Sequence, residues 1–253
     1  MGMAALLGAV RPAHATISPE TRVGAALLDI GGGATARPSA VEQLLWETSK
    51  RTSIQVRERP AVLSPASPGL FEWPLLVWIG VGEVPPLEPA AVTLLGRWVR
   101  AGGLLFIDDA SPAGGEGFDA SVRRELARAL PGRPLKRLSG DHTLFRSFYL
   151  LEKAYGRIER APALEGIDHG ERTAVVYSRN DLLGAFGRDP GGGWRLPVES
   201  GGDRQREMAL RMGINLVMYA TCLDYKRDQV HVTEILRRRR WTVEPIDPND
   251  DER

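Results

Sequence analysis

Cysteine is almost absent from this sequence, because Cys222 is the one cysteine among 253 residues. A lone thiol excludes an internal disulfide framework and any paired-cysteine metal site. Cys222 also falls within a predicted long helix, where cysteine is typically a small buried apolar side chain. Thiol chemistry is therefore not expected of this chain.

Histidine and the common catalytic motifs are scarce as well. The four histidines are far apart in the sequence, at His14, His142, His169 and His231. Neither an HExxH pair nor a Gly-x-Ser-x-Gly turn occurs. We expect no bound metal and no cofactor, because the sequence has neither a histidine cluster nor a nucleotide-binding fingerprint.

An excess of charge of either sign is also missing. The 33 basic and 32 acidic residues leave a net charge of +1, which gives no argument for a nucleic-acid partner. The local exception is the basic run Arg237, Arg238, Arg239 and Arg240. Positive charge suits the end of a helix, so a solvated helix end explains this run. Contact with a membrane surface or an acidic partner is the other interpretation.

Long apolar segments are lacking, and the chain has no run that could cross a bilayer. A short apolar run at residues 3–10 precedes Ala13-His14-Ala15, which has the form of a signal-peptidase site. We therefore expect residues 1–15 to be a signal peptide and the protein to be exported to the periplasm. No Lys or Arg precedes the run, and the alternative is a frayed apolar tail on a cytoplasmic protein.

What the sequence does contain is an alternation of predicted strands and helices. Short continuous apolar runs, typical of strands buried on both faces, occur at residues 25–30, 75–79, 104–108 and 173–178. A further short strand is predicted at residues 54–57, with a loop at 60–68. The pattern predicts a three-layer α/β domain over residues 22–240, with a mostly parallel sheet flanked by helices, and a polar tail at 241–253.

The predicted helices between these strands have recognisable starts. Ser39 and Glu42 form a capping-box pattern, and Asp119 is in the position of an N-cap before an apolar stripe. Pro89 precedes another amphipathic stretch. The longest helix is predicted from Asp203 to about Cys222. Residues 182–187 are either a hairpin partner of the preceding strand or a loop.

Four stretches together resemble a bacterial family of unknown function with a class I glutamine amidotransferase-like (flavodoxin-like) fold, similar also to ThuA-like proteins. They are GGLLFIDD at 102–109, DHTLFRSFY at 141–149, YSRNDL at 177–182 and DYKRDQVHV at 224–232. The resemblance covers roughly residues 22–240. It implies genomic neighbours of the MoxR-type ATPase and von Willebrand kinds, and it carries no established activity.

The resemblance and the predicted fold place a candidate site at the carboxyl ends of the strands, where open parallel sheets bind ligands. Amidotransferases carry their nucleophilic cysteine on a turn after one such strand. The equivalent turn in this sequence carries Asp108 and Asp109 instead. Because Cys222 lies elsewhere, in a helix, glutamine hydrolysis by a thiolate is not expected.

The acidic turn and other polar residues could still form a site. Asp109 and His142 are the candidate acid–base pair, because a carboxylate and an imidazole suffice for such chemistry near neutral pH. The candidate ligand-binding residues are Asp108, Arg146, Asn180 and Asp181. The alternative for each is ordinary capping or turn formation. Arg123 is a further cation, which a solvated helix face explains equally well.

Two functions of different class follow from this reasoning. The first is a non-catalytic binding or interaction module that uses the strand-end cleft to bind a small ligand or an envelope protein. The second is a hydrolase acting on a small polar or sugar-like substrate through Asp109 and His142. Convergence of Asp108 or Asp109, His142, and Asn180 or Asp181 in one pocket would favour the enzyme or a ligand-binding site, and their separation would favour the module.

Overall fold

The computed structural model describes residues 22–30, 37–112 and 115–238, and for residues 222–238 it describes the backbone only. The predicted signal peptide at 1–15, the tail at 241–253 and the side chains of the basic run at 237–240 lie outside the described residues. The candidate residues Asp108, Asp109, His142, Arg146, Asn180 and Asp181 all lie within them.

The described residues form one seven-stranded sheet. Its strands are β1 (Ala25–Leu28), β2 (Ala61–Leu63), β3 (Leu75–Gly80), β4 (Leu104–Asp109), β5 (Lys136–Arg137), β6 (Glu165–His169) and β7 (Arg172–Ser178). The strand order is β2-β1-β3-β4-β7-β6-β5. The first five strands in that order are parallel to one another, and β6 and β5 add an antiparallel edge. The parallel part therefore has the order typical of flavodoxin-like sheets.

Helices cover both faces of this sheet. They are α1 (Pro38–Arg51), α2 (Pro89–Arg100), α3 (Gly117–Ala129) and α4 (Gly202–Arg238). One apolar core joins the sheet to α1 and α4, and a second joins its other face to α2 and α3. Successive residues of a strand point to opposite faces, so Leu27 enters the first core and Leu28 the second. The predicted three-layer α/β fold with a mostly parallel sheet is confirmed.

Several local predictions need correction. The second strand lies at β2, inside the predicted loop, and Val56 makes only an isolated bridge to Val23. The helix starts also differ: α1 begins at Pro38 and α3 at Gly117, so Ser39 and Asp119 lie inside the first turns instead of capping them. Proline at the first helical position explains the start of α1, because its fixed φ already suits a helix.

The second half of the chain departs further from expectation. The antiparallel neighbour of β7 is β6, which precedes it, and residues 182–187 form a turn containing a short 3₁₀ helix (Leu183–Ala185). Helix α4 continues beyond Cys222 to Arg238. In the part of the chain that the structure describes, no helix combines the length and the apolar character needed to cross a membrane.

Candidate functional site at the carboxyl ends of the strands

Asp108 lies at the carboxyl end of β4 and is completely buried. Its two carboxylate oxygens accept hydrogen bonds from the backbone N–H groups of Leu182 and Leu183, at 2.8 and 2.7 Å. Burial, and then the negative charge of Asp181, raise the pKa of Asp108 to about 7. The side chain thus holds the turn after β7 against the end of β4 and has no face towards solvent.

Asp109, the next residue, is buried as well, on the other side of the strand. Its Oδ1 accepts a hydrogen bond from the backbone N–H of Ser111 at 2.9 Å. Its Oδ2 accepts one from Nη1 of Arg160 at 3.0 Å. The same arginine also donates to the carbonyl oxygen of Ser111. Both oxygens of Asp109 are therefore bound within the chain.

Asp181 completes a group of three buried carboxylates at this edge of the sheet. Its backbone has a φ of 47°, a left-handed conformation that aspartate tolerates better than most residues. Arg37 donates to its Oδ1 and Arg157 to its Oδ2. Its own N–H donates to the carbonyl oxygen of Asp109 at 3.2 Å. The two arginines neutralise a charge that could not otherwise be buried.

Asn180 fixes the chain that passes over the strand ends. Its Oδ1 accepts from the N–H of Ala161 at 2.7 Å, and its Nδ2 donates to the carbonyl oxygens of Ala154 and Ala161 at 3.1 and 2.6 Å. We call residues 154–161 the covering segment, because Asn180, Asp181 and Asp109 all bind it. An amide suits this position because it donates and accepts at once.

The arginines that complete this network were not predicted from the sequence. Arg37 precedes α1, and Arg157 and Arg160 belong to the covering segment. Their side chains keep 15–17% of their surface exposed, whereas the aspartates they bind keep none. The fold therefore brings together four candidates, as expected for parallel strand ends: Asp108, Asp109, Asn180 and Asp181. The three arginines and the covering segment lie between these residues and the solvent.

His142 lies at the opposite end of the strands, near the amino end of β7. Its Nε2 is 3.0 Å from Oγ1 of Thr173, the second residue of β7, whereas Asp108 pairs with Ser178 at the end of that strand. Five residues of strand correspond to roughly 16 Å. His142 therefore does not approach the acidic turn as expected. Its segment, which precedes β6 in the chain, lies beside the first residues of β7.

The contacts of His142 define its tautomer. Nδ1 accepts from the backbone N–H of Leu144 at 3.2 Å, so the ring proton belongs on Nε2, which donates to Thr173 Oγ1. Thr173 in turn donates to Oδ1 of Asp168 at 2.6 Å. Burial lowers the pKa of His142 despite the nearby charges of Asp168 and Asp141. The imidazole is thus held neutral, as the cap of the short 3₁₀ helix Thr143–Arg146.

The remaining candidates are also away from the strand ends. Arg146 is exposed at the end of the same 3₁₀ helix as His142. Arg123 lies on α3 and donates to Asp119 and Glu165. Among the described residues no group of His, Cys, Asp or Glu side chains could hold a metal ion. Roles in ligand binding for the candidate residues stay predictions, since the contacts described above are all within the chain.

The fold and this site define the class of protein: a three-layer α/β domain in which the aspartates at the carboxyl ends of the strands are buried. Comparison with known families is more specific, because a model described as "Domain of unknown function (DUF4159)" matches residues 24–221. The chain belongs to that family. The matched region ends within α4, which continues to Arg238. No curated protein matches the chain.

Proposed function

We propose that the chain is a non-catalytic interaction module that contacts its partner with the strand-end edge of the sheet. One observation carries the proposal: both oxygens of Asp109 are bound inside the chain, and His142 lies at the opposite end of the strands. A general base must be within reach of substrate, which the fully buried carboxylate of Asp109 is not, and an acid–base pair needs both members in one pocket. Asp109 and His142 satisfy neither condition.

The surface that remains for a partner is a rim around the buried acids. We define the strand-end rim as Asp29, Arg37, Arg157, Arg160 and Arg179. Asp29 is exposed directly after β1, and the arginines are partly exposed. Buried carboxylates hold the guanidinium groups of Arg37, Arg157 and Arg160 in place. Groups held in this way lose little further side-chain entropy on binding, and arginine is a frequent anchor of protein interfaces. A protein partner with exposed carboxylates suits this rim.

Site-specific photo-crosslinking in the native cell tests the proposal. A photoreactive residue replaces Asp29 on the rim, and in a matched variant it replaces Glu72, another exposed acid, near the start of β3. We expect a discrete protein adduct from position 29 that is lost when Arg179→Glu is added, and no such adduct from position 72. Equal adducts from both positions, or none from position 29, would contradict the proposal.

The hydrolase acting on a small polar or sugar-like substrate through Asp109 and His142 is the competing function. Purified wild-type protein is screened with glycosides and esters, and any turnover is compared with Asp109→Asn and His142→Asn. If the wild type shows turnover and both variants abolish it while remaining folded, the protein is the hydrolase and the proposal of an interaction module is refuted.

The proposal also covers where the protein acts and to which proteins it is related. We propose an exported protein whose sheet is related to class I glutamine amidotransferases and whose gene lies near those for MoxR-type and von Willebrand-type proteins. The support is the sequence of residues 1–15 and the four family-like stretches. Contact of Arg237, Arg238, Arg239 and Arg240 with a membrane surface is part of this proposal. Cell fractionation tests it, because a cytoplasmic protein of full length would exclude export.

A further inference from the structure

A groove of about 350 Å³ lies between the second half of α3 and the segment that follows it, away from the strand-end rim. Its lining comes from Leu126, Ala127 and Leu130 of α3 and from Arg133, Pro134 and Leu135 after the helix, among others. This volume is near the lower end of the range for small-molecule sites. The groove therefore suits a ligand of modest size.

The floor of the groove is apolar. Leu126 and Leu130 belong to the core on the α2–α3 face, and Leu135 packs against that core while remaining partly exposed. Ala127 is exposed on the helix surface and leaves room above the floor because its side chain is a single methyl group. An aliphatic or aromatic body placed here would lose water from the face that it lays against this floor, which is favourable.

One end of the groove is positively charged. Arg133 donates from Nη1 to the carbonyl oxygen of Asp168 at 2.9 Å and makes no ion pair within the described part of the chain. The positive potential extends beyond it: burial, then Arg133, Arg172 and Arg100, lower the pKa of the neighbouring His169. Arg123, by contrast, is neutralised by Asp119 and Glu165. Arg133 is therefore the residue that an anionic head group would meet.

We propose that this groove binds a small amphipathic anion, with its apolar body on Leu126, Leu130 and Leu135 and its carboxylate or phosphate on Arg133. Charge complementarity favours this class, because an anionic head group could make a charge-assisted hydrogen bond to the guanidinium of Arg133, which has no acidic partner within the described residues. The site is independent of the strand-end rim and of the function proposed for it. It lies on the α2–α3 face, towards the edge of the sheet where the parallel strands begin.

Calorimetric titration of the full chain tests the proposal with four probes. Octanoate and octyl phosphate carry an anionic head on an apolar body, octanamide has the same body without charge, and acetate has the head alone. We expect octanoate or octyl phosphate to bind, and the stronger of the two identifies the head group. Binding of octanamide as strong as that of the anions, or no binding of either anion at millimolar concentration, would overturn the proposal.

Three variants assign the binding to this groove. Arg133→Gln removes the charge and should weaken binding at least about tenfold, the usual effect of losing a charge-assisted hydrogen bond. Ala127→Phe fills the groove from an exposed helix position and should abolish binding. Lys136→Gln, an equal loss of charge on exposed β5, is the control and should bind like the wild type. An unchanged affinity in both Arg133→Gln and Ala127→Phe, with unchanged melting temperatures, would place any binding elsewhere and refute this site.

Discussion

Arg160 and Asp109 are 51 positions apart in the chain, and Nη1 of the arginine donates to Oδ2 of the buried aspartate at 3.0 Å. This ion pair joins the covering segment to the end of β4. It also explains how a second carboxylate can be buried directly beside Asp108, because the guanidinium supplies the compensating charge. The acidic turn is thus part of what holds the loops over the sheet.

Replacing Asp109 with Asn should therefore reduce stability. Removing one partner of a buried ion pair leaves the other uncompensated, which typically costs about 3–5 kcal/mol. Urea unfolding measures the loss, and Arg123→Gln is the control, since breaking an exposed pair costs about 0–1 kcal/mol. The double variant Asp109→Asn with Arg160→Gln should lose less than the sum of the single losses. Additive losses would mean that the pair does not act as a unit.

Asp181 combines a charge that is neutralised by two arginines with a left-handed backbone. Asp181→Asn keeps a side chain that tolerates this backbone, but it removes the charge and replaces one acceptor oxygen with an NH2 donor. Asp181→Ala loses both acceptors and adds conformational strain of about 1 kcal/mol. We expect both variants to unfold at lower urea concentration than the wild type, with Ala below Asn. The order Asn below Ala would contradict this expectation, because the left-handed conformation would then cost less than the amide donor placed against an arginine.

The parts of the fold that were predictable are those that bury both faces of an element. Strands β1, β3, β4 and β7 are continuous apolar runs, so periodicity and turn residues were sufficient to locate them. Strands at the edge of the sheet, or next to it, carry no such signal. Strand β2 has three residues with Val62 half exposed, and β6 contains polar Glu165, Asp168 and His169, so both were missed.

The same distinction applies to the candidate site. Parallel strand ends meet at one edge, and this rule placed Asp108, Asp109, Asn180 and Asp181 together. His142 and Arg146 could not be placed, because the path of their segment depends on tertiary contacts. Asn215 of α4, for example, accepts hydrogen bonds from the N–H groups of Phe148 and Tyr149. Arginines in irregular segments, such as Arg157, have no periodicity that could have indicated their partners.

Asp108 should make stability depend on pH in an unusual direction. Its pKa is about 7 in the folded chain and near 3.8 in the unfolded one, so the folded protein holds a proton that the unfolded chain has released. The contribution of Asp108 is fully present below about pH 4 and is lost as the pH rises through 7, by up to about 1.4 kcal/mol per unit. Unfolding of the wild type and of Asp108→Asn, compared across roughly pH 4–8, measures this difference. Parallel curves for the two proteins would contradict it.

His142 should contribute with the opposite sign. Burial lowers its pKa below the unfolded value of 6.5, so the unfolded chain takes up a proton that the folded protein does not. Its contribution is present above about pH 6.5 and is lost as the pH falls through the lowered pKa. His142→Asn, which can still accept from Leu144, should lack this dependence. An NMR titration of the imidazole measures the pKa directly, and a value above 6.5 would refute the argument.

Gly184 tests how tightly the ion pairs of Asp181 are packed. A methyl group at this position would overlap Oδ2 of Asp181 and lie 2.6 Å from Nη1 of Arg37, so the carboxylate or the arginine must move. Overpacking of this kind typically costs about 1–3 kcal/mol. Gly140→Ala is the matched control, because a methyl group there meets nothing within 4 Å. We expect Gly184→Ala to lower the midpoint of urea unfolding while Gly140→Ala leaves it unchanged or slightly raised.

The loss from Gly184→Ala should shrink in an Asp181→Asn background, since the ion pair that it disturbs is already weakened. An equal loss in both backgrounds would show that the strain falls on the backbone of the turn and not on the ion pair.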